Sequence, residues 1–133
     1  MVQADEQIVR RYFEAWNARD LVAMEKVLSA QVRWERSADF PEGRSLHGRE
    51  AILDFARSMF EVFAQTPIEV GRCIDGGGGQ VVVTGTTRFK GGQSGAETSS
   101  DWVRVYEVRE RMIHRIWPVA GVDEALEGRT RSE

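Results

Sequence analysis

The residues best suited to chemistry are an arginine, a tyrosine and a histidine set among aromatic side chains. Along Asp101-Trp102-Val103-Arg104-Val105-Tyr106, the alternation of a strand puts Trp102, Arg104 and Tyr106 on one face. A guanidinium stays protonated at any ordinary pH and presents its N–H donors in one plane, which suits an anionic or carbonyl oxygen. Tyr12 is a second donor, and His114 is a side chain able to move a proton near neutrality. If these groups meet in one cavity, they would bind or polarise an oxygen during acid/base chemistry. Plainer roles also fit. Tyr12, Phe13, Trp16, Phe55 and Phe63 at helical spacing read equally as core, and His114 as a surface residue of the last strand. Cys73 has no visible activating partner, and His47, just ahead of Gly48, reads as a structural residue. No CxxC, HExxH, GxSxG or GxxxxGK[ST] motif occurs, and neither a metal nor a cofactor is expected.

A chain of 133 residues, 41% of them apolar, is long enough for one core and too short for two, so residues 1–133 are expected to form a single domain. The net charge of −3, with 18 basic residues scattered among 21 acidic ones, gives no footprint for nucleic acid. A single cysteine cannot close an internal disulfide, and the opening Met-Val-Gln-Ala-Asp-Glu has no apolar stretch. A cytoplasmic protein is therefore expected. No window approaches the ~18 apolar residues of a membrane helix, so no membrane partner is expected either.

The positions of these side chains depend on the elements that carry them. Ile8, Val9, Tyr12, Phe13 and Trp16 recur every three or four residues, which predicts a helix from about residue 4 to 18. Asp20 reads as the N-cap of a second helix bearing Leu21, Met24, Val27 and Leu28. Gln31 to Ser37 reads as a strand, and Asp39-Phe40-Pro41-Glu42-Gly43 as a turn-rich loop that could act as a flap. Gly48-Arg49-Glu50-Ala51-Ile52 opens a third helix with Ile52, Phe55, Ala56, Met59, Phe60 and Phe63 inward, ended by Pro67. The period then changes to two, and Ile68–Asp75, Gln80–Lys90, Thr98–Arg109 and Met112–Val119 read as strands. Gly76 to Gly79 between two of them is a hairpin turn, Gly91 to Gly95 a flexible connection, and Glu127 to Glu133 a frayed end. Three helices ahead of a curled antiparallel sheet make an α+β fold in which the sheet wraps the long helix and leaves a cone-shaped pocket. Pockets of that shape suit small apolar molecules.

Over Ile8 to about Leu126 the chain resembles the SnoaL-like branch of the nuclear-transport-factor-2-like superfamily, whose fold is this cone-shaped, cystatin-like α+β barrel. The matches are Ala15-Trp16-Asn17-Ala18-Arg19-Asp20, Asp39 to Gly43, Gly48 to Ile52, and Val105-Tyr106-Glu107-Val108-Arg109-Glu110-Arg111-Met112-Ile113. The superfamily spans polyketide cyclases, steroid delta-isomerases, epoxide hydrolases, dehydratases and binding domains, so the resemblance implies a fold without choosing a reaction. Laid on the isomerase pattern, Tyr12 takes the catalytic tyrosine's position, while Arg36 falls on the aspartate base and Arg104 on the oxyanion donor. An arginine cannot serve as a carboxylate base near neutral pH. On the cyclase pattern Arg104 takes the place of a histidine and Pro118 that of an aspartate; the Asp-Arg-Asp set of the epoxide hydrolases also loses its last aspartate to Pro118.

The resemblance points Arg104 inward. With a turn at Arg109-Glu110-Arg111, Arg104 would face Ile116, Tyr106 would face His114 and Trp102 would face Pro118; a slip of one residue would instead bring in Arg115 and Trp117. The candidate catalytic residues are then Arg104, Tyr12 and His114. Trp16, Trp34, Arg36, Phe55 and Met59 join Trp102, Tyr106, Ile116 and Pro118 as candidate pocket residues. Buried guanidinium groups need an anionic partner, for which Glu35, Asp39 and Asp101 are near in sequence. Two functions remain open: a cyclase, isomerase or lyase acting on a hydrophobic carbonyl or anionic compound, and a non-catalytic ligand-binding or dimerisation domain. Whether the protein is an enzyme stays undecided. Family resemblance also implies a homodimer through the outer sheet face, for which Val81, Val83, Val103 and Val105 are candidates.

Overall fold

The computed structural model describes residues 2–36, 45–91 and 97–126. Helix α1 (Val2–Asn17) turns the face carrying Ile8, Val9, Tyr12, Phe13 and Trp16 into the core, as its spacing requires. A sharp corner follows, with Arg19 in the left-handed region at φ 56°. Asp20 then caps α2 (Leu21–Val27), its carboxylate accepting from the Ala23 N–H at 3.1 Å.

The corner residues also bind distant backbone. The Trp16 indole N–H donates to the Thr66 carbonyl at 2.7 Å. The Asn17 amide makes two bonds with Ile68, donating to its carbonyl at 3.0 Å and accepting from its N–H at 2.7 Å. Arg19 donates to the Phe60 and Phe63 carbonyls at 2.9 and 3.0 Å, satisfying groups that the end of the third helix would leave without partners. The run Trp16-Asn17-Ala18-Arg19-Asp20 is therefore a clamp.

Strand β1 (Leu28–Trp34) starts three residues before the expected boundary and buries Leu28, Val32 and Trp34. The short β2 (Leu46–His47) leads to α3 (Arg49–Val62), which buries Ile52, Leu53 and Ala56. This helix ends well before Pro67, because Phe63 leaves it to begin a strand, β3 (Phe63–Gln65), against the fifth strand. Strands β4 (Ile68–Gly77), β5 (Gln80–Gly91), β6 (Glu97–Arg109) and β7 (Met112–Val119) agree with the period-two reading to within two residues. Gly78 and Gly79, at φ 61° and 83°, make a two-residue turn between β4 and β5 within the hairpin expected at Gly76 to Gly79. The expected loops at Asp39 to Gly43 and Gly91 to Gly95 and the tail from Glu127 lie wholly or largely outside the described residues.

The sheet runs β2-β1-β7-β6-β5-β3, with β4 also on β5. It is mixed rather than antiparallel, because β1 pairs parallel with β7 through Leu28 to Ile113 and Trp34 to Ile116. The last hairpin differs from expectation by two residues. Its loop is the pair Glu110-Arg111, at φ 53° and 63°, and a bulge beside Glu107 and Val108 leaves His114 without a cross-strand partner. Each shifts the pairing by one, so Arg104 faces Pro118 and Tyr106 faces Ile116. Two shifts of one preserve the faces, which is why Trp102, Arg104, Tyr106 and Ile116 still share the inner one.

Val81 and Val83 oppose Tyr106 and Arg104 and belong to the core, contrary to their expected place on the outer face. The outer row is Ile74, Val82, Val105 and Trp117, aligned across β4, β5, β6 and β7. Arg115 covers Trp117, its guanidinium carbon 4.4 Å from the ring centroid, and is itself held bidentately by Glu35 at 2.7 and 3.1 Å.

Asn17→Leu would leave the Ile68 N–H and carbonyl without their side-chain partner in a half-buried setting. We expect a loss of roughly 2–3 kcal/mol, read as a lower urea midpoint with an unchanged m-value.

Candidate functional site

Between α1, α3 and the inner sheet face lies a cavity of about 250 Å³. Six of the expected residues line it: Trp16, Trp34, Phe55, Met59, Trp102 and Arg104. Phe63, Ile68, Thr87, Phe89 and Ser100 complete the wall. These five were not among the expected site residues. Phe63 and Phe89 come together, ring centroids 5.2 Å apart, only because β3 pairs with β5. Alternation from Trp102 back to Ser100, and across to Thr87, was the available signal for the other face.

Tyr12, Tyr106 and Ile116 are buried below the cavity and do not line it. Pro118, though opposite Arg104 in register, is exposed at the end of β7. His114 is half-buried at the bulge and also lies outside the cavity wall. Asp39 is outside the described residues. His47 is exposed, and Cys73 packs half-buried against the core with its thiol pushed up chiefly by burial.

Arg104 is the cavity's cation. Its guanidinium carbon lies 4.0 Å from the Trp102 ring centroid and 5.1 Å from that of Trp34. Arg36 shares Trp34 with it, its guanidinium carbon 4.2 Å from the Phe55 centroid and 5.1 Å from that of Trp34. The order Phe55, Arg36, Trp34, Arg104, Trp102 alternates ring and guanidinium. Each contact supplies on the order of 0.5–2 kcal/mol, more as water is excluded. No carboxylate pairs with Arg104 among the described residues; Glu35, which neighbours Arg36 in sequence, is held by Arg115. Burial raises both phenols above the ordinary tyrosine range and so holds them protonated; Tyr106 adds to this for Tyr12, while Arg104 pulls both back. For Tyr106 that opposing pull includes a hydrogen bond with Arg104.

The arrangement can therefore hold an oxygen at Arg104 against aromatic walls. Its described lining contains neither carboxylate nor imidazole, only the hydroxyls of Thr87 and Ser100 beside the guanidinium. The Thr87 hydroxyl already accepts the Trp102 indole N–H at 2.8 Å.

Fold and cavity together define a domain of SnoaL-like type, and residues 9–116 match the SnoaL-like domain model. The chain belongs to that family. Among solved structures it is similar to a nuclear-transport-factor-2-like protein of Burkholderia pseudomallei K96243, with 23% identity, TM-score 0.74 and coverage of 93% of this chain and 95% of that one. It is also similar to RV0760c of Mycobacterium tuberculosis in complex with estradiol-17beta-hemisuccinate, with 13% identity, TM-score 0.75 and coverage of 91% and 96%. A third is a ketosteroid isomerase-like-fold protein of Catenulispora acidiphila DSM 44928 in complex with trimethylamine, with 14% identity, TM-score 0.72 and coverage of 90% and 89%. At these identities the likeness is one of fold. Comparison with curated proteins gave no match.

The two tyrosines of the chain are the two buried phenols. Neither should ionise near pH ~10, where a free phenol is half-ionised. Tyrosinate absorbance should appear only together with unfolding. The unfolded chain ionises first, so the stabilisation is full below about pH 10 and falls as pH rises further.

Proposed function

We propose that this protein binds a small, flat, largely apolar molecule through an anionic or carbonyl oxygen seated on Arg104. One observation carries the reading: a guanidinium without a carboxylate partner among the described residues, held between tryptophan rings on the wall of an apolar cavity. A half-buried cation walled by rings and without a counter-ion is costly, and a ligand oxygen offsets part of that cost. The estradiol-17beta-hemisuccinate complex of the M. tuberculosis relative is in keeping with ring compounds of this kind. An amine would instead meet the like charge of Arg104. The protonated Tyr12 and Tyr106 lie beneath the guanidinium and orient it rather than act as bases.

Binding is the reading the described wall supports, since it lacks a group able to take a proton. Turnover of a bound carbonyl compound would extend it to the cyclase, isomerase or lyase chemistry of the superfamily. His114, the candidate proton shuttle for such turnover, lies outside the described cavity wall. The probe is 2-naphthoate, followed by quenching of the intrinsic fluorescence. Arg104→Met should weaken it at least tenfold while 2-methylnaphthalene, which has no oxygen, changes less than threefold. Equal loss of both would refute an oxygen held by Arg104.

A homodimer through the outer face belongs to the same proposal, with residence in the cytoplasm. It is supported by the apolar row aligned on the outer face, whose members Ile74 and Trp117 are partly exposed in the single chain. No helix of the described residues is long and apolar enough to cross a membrane. Light scattering should give twice the 15.0 kDa chain mass, and Trp117→Glu should return the monomer. A monomeric parent chain would remove this part.

A further inference from the structure

Gly85 sits in the middle of β5, directly opposite Trp102 on β6 and Val70 on β4. A Cβ added there would lie 2.5 Å from both Cζ2 and Cη2 of the Trp102 indole and 3.1 Å from Cε2. Real Cβ atoms essentially never approach so closely, so the six-membered part of the indole lies directly on the bare glycine. The indole is fixed there from three directions. Its N–H donates to Thr87 Oγ1 at 2.8 Å, two residues along β5 from the glycine. Arg104 covers it at 4.0 Å, and the Phe13 ring stacks at 5.9 Å with an interplanar angle of 27°. Thr87 is itself buried, and so a well-defined anchor.

We infer that Gly85 is a specificity-determining residue of the cavity: it lets Trp102 recess into the sheet, and this recess sets both the room for a second ring and the seat of Arg104. The inference rests on the ligand-pocket reading above. Any side chain at position 85 must move the indole away from the sheet by about 1 Å to regain ordinary contact, because the colliding atoms are the far end of a side chain and the backbone below them is pinned in the sheet. That movement goes towards the ligand space and breaks the Thr87 hydrogen bond. It also shifts the surface on which the guanidinium rests. The cost should therefore depend on ligand size.

The test compares 2-naphthoate with benzoate on the parent chain and on Gly85→Ala. The two-ring anion should lose at least tenfold in affinity, while the one-ring anion loses less than threefold. Equal losses for both, or none, would overturn the inference. Should Gly85→Ala not fold, Trp102→Leu and the double variant Gly85→Ala with Trp102→Leu decide the matter, since leucine lacks the three colliding atoms. Equal naphthoate affinity in these two supports an effect carried wholly by the indole, and a tenfold difference contradicts it. If the parent chain binds neither anion, it is the ligand-pocket reading that fails. A crystal structure of Gly85→Ala, or of a folded Gly85→Ser variant, then decides the recess separately: a displaced indole supports it, and an unmoved one overturns it.

Discussion

The fold depends on how the end of the first helix grips the backbone between the third helix and the fourth strand. Chain leaving a helix for a sheet carries carbonyl and N–H groups that neither element satisfies, and near a core such groups cost about 1–3 kcal/mol each if left unpaired. Trp16, Asn17 and Arg19 answer this at Thr66, Ile68, Phe60 and Phe63. With the start of β4 fixed, the register of β4 on β5 follows, and β5 carries β6 and the inner row of side chains. Trp16 serves twice, since its N–H holds the clamp while its ring walls the cavity.

The cavity balances two opposing terms. Withdrawing a guanidinium from water is costly, and stacking on indole and phenyl faces recovers only part of it. Both Arg36 and Arg104 rest on Trp34, each guanidinium carbon 5.1 Å from its ring centroid. The faces of the Arg104 guanidinium are occupied by rings, which leaves its plane to meet an oxygen. Buried, protonated phenols beneath add polarity without adding charge.

Much of this was legible from periodicity. Alternation along Trp102, Arg104 and Tyr106 survived two register shifts because together they moved the pairing by an even number, and Asp20 declared itself as a cap by residue type and position. The shifts themselves were hidden. A two-residue loop normally asks for Asn or Gly where positive φ is needed, and here Glu110 and Arg111 adopt it; a bulge at His114 leaves no trace in an apolar pattern. Phe63 continued the helical spacing of α3, and only pairing with a strand distant in sequence draws it into the sheet. The parallel contact of β1 with β7 is likewise set by tertiary packing. Of the cavity wall, the residues missed are those that depend on such long-range pairings. An isolated glycine inside a strand, as at Gly85, did carry a readable signal of close approach.

Pro118 has a further effect on the shape of the molecule. The parallel ladder between β1 and β7 reaches Trp34 and Ile116, and its last rung is the Glu35 N–H donating to the Ile116 carbonyl at 2.8 Å. The next rung would need an N–H at residue 118 to meet the Glu35 carbonyl, and proline has none. The ladder must therefore stop there, and the first strand is released from the sheet at the level of Arg104, the residue facing Pro118 on the other side. Pro118 thus acts as a zipper stop, determining where the barrel wall gives way.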